Sequence, residues 1–153
     1  MSCDSVKSHL NWIKDIQAYG ALDGEFPYPI IDDESRALAV KFNMLDKDEI
    51  GAAGLPLTCR AVFVIDPQKR FRLSILYPAS TGRNFDEILR VIDAMQLTDR
   101  NKVATPVDWQ PKGDVMVLPT IKEEEIEALY PKGVKTMEMP SGKKYLRKTP
   151  CPE

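Results

Sequence analysis

Arg60-Ala61-Val62-Phe63-Val64-Ile65-Asp66-Pro67, then Phe71-Arg72-Leu73-Ser74-Ile75-Leu76-Tyr77-Pro78, then Thr81-Gly82-Arg83-Asn84-Phe85, is the stretch that decides the fold. Residues 61–65 are continuously apolar and largely β-branched, the pattern of a strand buried on both faces. Asp66-Pro67 suits the opening of a type I turn. In residues 71–77, Phe71, Leu73, Ile75 and Tyr77 alternate with Arg72, Ser74 and Leu76, which predicts a half-buried strand suited to a sheet edge. Asn84 with Glu87 forms a capping-box-like helix start. Phe85, Ile88, Leu89, Ile92 and Met95 then mark one helical face. Strand, tight turn, strand, loop and helix predict an α/β unit. One arginine, Arg60, stands where the first strand begins, and another, Arg83, just before the helix. Two cations framing a hairpin suggest a site built around an anion or a developing negative charge.

Working toward the N-terminus, Ser5 or Asp4 can cap a first helix by accepting its orphan N–H bonds. Val6, Leu10, Ile13 and Ile16 recur at helical spacing as the expected buried stripe, which puts His9 on the solvent side. Gly20 and Asp23-Gly24-Glu25 end that helix. Pro27-Tyr28-Pro29-Ile30-Ile31 reads as extended chain, since prolines disfavour helix at and before themselves. Asp32 and Asp33 precede a second helix over 35–45, with Leu38, Phe42 and Leu45 on one face, and 51–56 reads as a loop.

Toward the C-terminus the texture changes. Residues 98–112 are polar and carry Pro106 and Pro111, the pattern of a linker into a small second unit. Residues 115–119 predict a short strand. Thr120 and Glu123 give a second capping-box signal, opening a helix with Ile121, Ile126 and Leu129 on one side. Glu123, Glu124, Glu125 and Glu127 resemble a carboxylate cluster, but acidic residues favour the first turn of a helix through its dipole, and that reading takes precedence. Pro131 and Gly133 stop the helix, and 134–139 and 144–147 form a hairpin around Pro140-Ser141-Gly142. The expected division is 1–98 and 99–153.

At 153 residues, 43% apolar and 29% charged, the chain can form a packed core with a soluble surface. A net charge of −2 and a pI near 5.5 provide no steering toward nucleic acid or anionic membrane. No apolar run approaches the ~20 residues needed to span a bilayer. Cys3, Cys59 and Cys151 are far apart and odd in number, so they form neither a disulfide framework nor a CxxC metal site. A reducing, cytoplasmic setting is the expectation. The single histidine excludes His-rich metal sites and most triad chemistry.

The ordered series of motifs resembles the one-cysteine peroxiredoxins. It is carried by His9-Leu10-Asn11-Trp12-Ile13-Lys14-Asp15-Ile16, Pro29-Ile30-Ile31-Asp32-Asp33 and the run from Ser74 through Ile88. It continues through Val103-Ala104-Thr105-Pro106-Val107-Asp108-Trp109, Val117-Leu118-Pro119 and Pro140-Ser141-Gly142-Lys143-Lys144-Tyr145-Leu146-Arg147. The resemblance implies a partial thioredoxin-like fold over 1–98 and a small α+β dimerisation domain over 99–153. It implies reduction of hydrogen peroxide and organic or lipid hydroperoxides, with a peroxidatic cysteine oxidised to a sulfenic acid and reduced by an external thiol. No cofactor, metal or nucleic acid is implied; the partners would be a homodimer mate or a full-length subunit. The family's Pro-x-x-x-Thr-x-x-Cys motif does not occur here. The sequence looks like the family's C-terminal two-thirds, expected to be inactive or nearly so.

On this resemblance Arg60 matches the family's active-site arginine. A fixed guanidinium lowers a nearby thiol's pKa and hydrogen-bonds peroxide oxygens as charge builds. From residue pattern alone Arg60 reads as a strand-end surface residue. Arg83 matches a second arginine near the family's site, or else is a loop residue paired with Asp86 or a backbone carbonyl. Both are supporting groups. Cys59 stands beside Arg60, but adjacent strand residues point to opposite faces, so it reads as a small buried apolar residue. Some family members are credited with a phospholipase activity using Ser, His and Asp. The position matching that Asp is Gln68, with Asp66 two residues earlier, which argues against the activity here.

Overall fold

The computed structural model describes residues 1–52 and 54–152. Ala53, inside the loop expected over 51–56, lies outside the described residues. The chain forms two compact units, Met1–Arg83 and Asn84–Glu153.

The first unit begins with Ser2, which makes a parallel bridge to Asp32: its N–H donates to Ile31 O at 3.1 Å, and its carbonyl accepts from Asp33 N at 2.8 Å. Helix α1 (Val6–Gly20) follows, and Ser5 caps it by accepting from Ser8 N, as expected. Its buried face differs from the expected stripe. His9 is 4% exposed, while Val6, Leu10 and Trp12 are more than half exposed. The expectation for 35–45 also changes. Helix α2 (Ala37–Lys41) is a single short turn, after which Asn43 takes a left-handed φ of +52° and the chain leaves the helix. Asparagine tolerates that conformation better than other non-glycine residues, which is why the apolar spacing of Leu38, Phe42 and Leu45 fails to extend the helix. Asp33 holds the start of α2, its two carboxylate oxygens accepting from Leu38 N and Ala39 N at 2.9 and 2.7 Å.

Strand β1 (Leu45–Ile50) pairs antiparallel with β2 (Pro56–Thr58), a hairpin absent from the sequence expectation. The main hairpin forms as expected. β3 (Arg60–Ile65) and β4 (Phe71–Tyr77) pair antiparallel, from Arg60↔Tyr77 to Ile65↔Phe71 with one irregularity near the turn. The turn closes by Lys69 N donating to Asp66 O at 2.8 Å. The burial expected on both faces of 61–65 is not reached. Residues 61–64 are half-buried and Ile65 is 60% exposed, because β3 has one hydrogen-bonded neighbour strand among the described residues.

The second unit opens with α3 (Phe85–Arg100), where Asn84 Oδ1 accepts from Glu87 N at 3.2 Å. Only half of the capping box forms, because the Glu87 carboxylate turns to Arg90, 2.6 Å from its Nε. The buried face runs through Ala94 and Leu97, whereas Phe85 and Leu89 are exposed. Residues 98–112 are not a linker. They supply the end of α3, strand β5 (Val103–Ala104) and Trp109, which is 4% exposed with its indole N–H donating to Gly113 O at 3.0 Å.

An antiparallel sheet of order β5-β6-β8-β7 completes the unit, with β6 (Val115–Val117), β7 (Lys135–Thr136) and β8 (Arg147–Thr149). Val115 and Val117 are fully buried in a core with Leu97, Val103, Trp109, Ile121 and Tyr130. Helix α4 (Glu123–Leu129) starts two residues later than expected: Lys122 is its N-cap, and the Glu125 carboxylate accepts from Lys122 N at 3.0 Å. Glu123, Glu124 and Glu125 occupy the first turn, as the dipole argument requires.

Candidate functional site

The β3–β4 hairpin places both arginines. Arg60 opens β3, and its side chain reaches across to the turn after β4, where Nε donates to Ala79 O at 3.1 Å. That turn is closed by Thr81 N donating to Pro78 O at 3.0 Å. Arg83 lies at the end of the same loop and bends back, Nη2 donating to Ala61 O at 3.3 Å. The partner Arg83 finds is thus a backbone carbonyl rather than the Asp86 carboxylate. The hold on Arg60 engages one of its five N–H donors.

Arg60 lines an open cleft of about 500 Å³ together with Ser2, Asp4, His9, Trp12 and Asp15. Arg83 and the three cysteines do not line it. The structure therefore brings Arg60 to a concave surface with α1 and the Ser2 segment, and gives Arg83 the separate task of tying its loop to β3.

Within the cleft, Ser2 Oγ donates to Asp4 Oδ2 at 2.7 Å and lies 2.6 Å from His9 Nε2. A hydroxyl has one hydrogen, so with that hydrogen on Asp4 the short contact requires His9 Nε2–H as donor to Ser2 Oγ. His9 Nδ1 is buried without a partner. Sequence reasoning missed this histidine: the apolar stripe of α1 points elsewhere, and the polar partner seven residues away that explains its burial leaves no periodic signal.

The surroundings of Cys3 disfavour its thiolate. Burial, the largest effect, raises the Cys3 pKa; the Asp33 and Asp4 carboxylates add to the rise and Arg36 opposes it. A raised pKa leaves less thiolate, the reactive form. Cys59 is half-buried, and its N–H donates to Met44 O at 2.7 Å. Cys151 belongs to the second unit, its thiol 3.4 Å from Pro152 O.

Gln68 and Asp66 serve the β3–β4 turn. Asp66 Oδ2 lies 2.7 Å from Arg70 Nε and 3.5 Å from Arg72 Nη1, and Oδ1 accepts from Arg70 N at 2.9 Å. Burial pushes the Asp66 carboxyl up, but the bonds from the Arg70 backbone and guanidinium outweigh it and hold the group below the ordinary carboxylate range. Gln68 Oε1 accepts from Arg70 Nη2 at 3.5 Å. No three His, Cys, Asp or Glu side chains converge as a metal centre among the described residues, and no described helix is long and apolar enough to cross a membrane.

Comparison with known proteins matches the chain to a class of thiol peroxidases. The AhpC/TSA family matches residues 1–74, and the C-terminal domain of 1-Cys peroxiredoxin matches residues 94–133. The chain belongs to the one-cysteine peroxiredoxin family, in the peroxiredoxin-6 group. It is 59% identical to Peroxiredoxin-6 of Gallus gallus over 155 residues, covering 100% of this chain and 69% of that protein. It is 58% identical to Peroxiredoxin-6 of Homo sapiens over 154 residues, covering 99% and 69%. Among solved structures, a mutant of the Peroxiredoxin 6 of Arenicola marina superposes with a TM-score of 0.93 at 55% identity, covering 99% of this chain and 68% of that one. A yeast mitochondrial 1-Cys peroxiredoxin gives 0.80 at 40% identity, covering 97% and 68%. The mixed α/β peroxiredoxin fold is thus common to all of them.

Proposed function

We propose that this chain is the arginine-bearing part of a thiol-dependent peroxidase acting on hydrogen peroxide and organic or lipid hydroperoxides, and that the peroxidatic thiol comes from outside residues 1–153. The observation that carries this reading is Arg60, anchored through Nε to Ala79 O and exposed on an open cleft that no cysteine of the chain lines. In the reaction a thiolate attacks one peroxide oxygen, the O–O bond breaks, and the second oxygen leaves as hydroxide or alkoxide while the sulfur becomes a sulfenic acid. An external thiol then reduces it. The Arg60 guanidinium stabilises the thiolate and the charge gathering on the leaving oxygen. Arg83 keeps the loop after β4 in place and supports the site from there.

The setting in this reading is cytoplasmic. The reductant is an external thiol of the glutathione or thioredoxin type, the two systems through which the yeast mitochondrial relative resolves its thiol. Residues 99–153 act as the dimerisation domain. By itself the 153-residue chain should be inactive or nearly so, because arginines without a thiolate cannot cleave a peroxide. Purified chain supplied with dithiothreitol should consume hydrogen peroxide no faster than free cysteine; consumption well above that rate overturns the reading.

A second reading rests on the open hairpin. Ile65, Phe71 and Leu76 are 60%, 63% and 51% exposed, an apolar surface on a strand pair that can extend through a partner. The chain would then act without catalysis, by pairing with full-length subunits. Native mass spectrometry after co-expression should show mixed dimers; their absence counts against it.

A further inference from the structure

The second unit carries a feature that the peroxidase chemistry does not use. Between Tyr130 and Pro152 the sequence places five lysines and one arginine against a single acid, Glu138, in a chain whose net charge is −2. Three of them, Lys132, Lys135 and Lys148, line adjoining hollows. A cavity of about 250 Å³ is walled by Leu129, Tyr130, Pro131, Thr149, Pro150 and Pro152, with Lys132 at its side. Two neighbouring hollows of about 520 and 500 Å³ share Lys132 and Pro150 with it and bring in Lys135, Lys148 and Lys112. Among the described residues lining the three, Asp114 is the only acid.

The floor is apolar for a structural reason. The Tyr130 hydroxyl donates to Lys102 O at 2.7 Å and the Thr149 hydroxyl to Gly133 O at 2.8 Å, so each gives its one hydrogen to the fold. Three prolines contribute rings without N–H donors and with fixed φ, so this part of the wall is shaped before any ligand arrives. The lining cations are all lysines, compact point charges rather than the planar forks that grip phosphate with two bonds.

An apolar hollow rimmed by point cations fits one ligand chemistry. We propose that this groove binds a short amphipathic carboxylate, its alkyl chain in the Leu129–Pro131–Pro150–Pro152 hollow and its head group toward Lys112 and Lys148 of the adjoining hollows. The site lies wholly in the second unit and is independent of the Arg60 cleft, so it stands whether or not the peroxidase reading does.

The test is a titration of the ¹⁵N-labelled 153-residue chain with octanoate, octanol and acetate, following backbone amide shifts. Octanoate should give one saturable set of shifts at Lys132, Gly133 and Thr149. Octanol, which lacks the charge, should bind roughly three- to tenfold more weakly, the scale of one or two exposed ion pairs. Acetate, which lacks the chain, should bind at least about tenfold more weakly. The Lys112→Gln/Lys148→Gln variant should keep the free chain's spectrum, lose octanoate affinity roughly three- to tenfold and keep its octanol affinity. Absence of saturable octanoate binding overturns the proposal. So does equal affinity for octanol, which makes the groove merely apolar, or equal affinity for acetate, which makes it merely cationic.

Discussion

Arg147 in the second unit tests the packing argument most sharply, because a buried guanidinium there serves the fold alone. It is 6% exposed, and Nη2 donates to Ile121 O at 2.8 Å and Leu118 O at 2.9 Å, fastening β8 to the turn that leads into α4. Nη1 lies 3.7 Å from the exposed Glu123 carboxylate, and Nε is buried without a partner. Replacing Arg147 with Met removes two hydrogen bonds from a charged donor, about 1.5–3 kcal/mol each. Leu118 O keeps a partner in Ile121 N at 3.1 Å, so Ile121 O is the carbonyl that loses this donor. Removing the orphan Nε relieves a burial penalty of about 1–3 kcal/mol. The net expectation is a loss of about 2–3 kcal/mol, which at a urea slope of roughly 1–3 kcal/mol/M lowers the midpoint by about 1–2 M. The assay is urea unfolding followed by fluorescence in a Trp12→Phe background, so that buried Trp109 reports the second unit. An unchanged or higher midpoint for Arg147→Met would refute the reasoning, because it would mean that desolvation cancels the two carbonyl bonds.

Tyr130→Phe removes the hydroxyl bond to Lys102 O and should cost about 0.5–1.5 kcal/mol by the same fluorescence assay. Gly133 has φ +86° and open space where a Cβ would stand, so Gly133→Ala should cost about 1–2 kcal/mol from backbone strain alone. Asp66 has a folded-state pKa below its unfolded value. Its contribution is therefore present above about pH 4 and lost as pH falls through the folded value. Protection of the Arg70 amide from hydrogen exchange should drop in Asp66→Asn at neutral pH, and the gap from the parent should close on acidification; a gap independent of pH contradicts the assignment.

How much of this was legible follows from which force sets each element. The β3–β4 hairpin was readable because alternation and Asp66-Pro67 encode it locally, whereas the register shift between Val64 and Ile65 left no signal. The start of α3 was readable from Asn84 for the same reason. β1 was not, because Asp46-Lys47-Asp48-Glu49 carries no apolar alternation; pairing with Pro56–Thr58 makes it a strand. The burial of Trp109 was hidden too. Composition averages residues 98–112 into a linker, whereas one aromatic side chain with a satisfied indole N–H anchors the segment to the core. His9 and Arg147 share a cause: a buried polar group follows its hydrogen-bond partners, which lie seven or more residues away and have no period.

The same logic separates the two arginines, which the sequence presents as a matched pair. Both are held by backbone carbonyls, yet the carbonyls lie on opposite sides of the hairpin. Ala79, which holds Arg60, is beyond β4, so the Arg60 side chain must cross the hairpin end, and this crossing brings it to the cleft beside Ser2 and His9. Ala61, which holds Arg83, is on β3, so Arg83 folds back onto the strand pair and draws the loop with it. Loop closure by Arg83 fixes the position of Ala79, and Ala79 fixes Arg60. An Arg83 substitution should therefore act on any chemistry at the cleft through the placement of Arg60, and an Arg60 substitution directly. Lysine at 83 can still donate to Ala61 O and should retain most of the effect. Lysine at 60 cannot hold Ala79 and also present further donors in a fixed plane, so it should lose most of it.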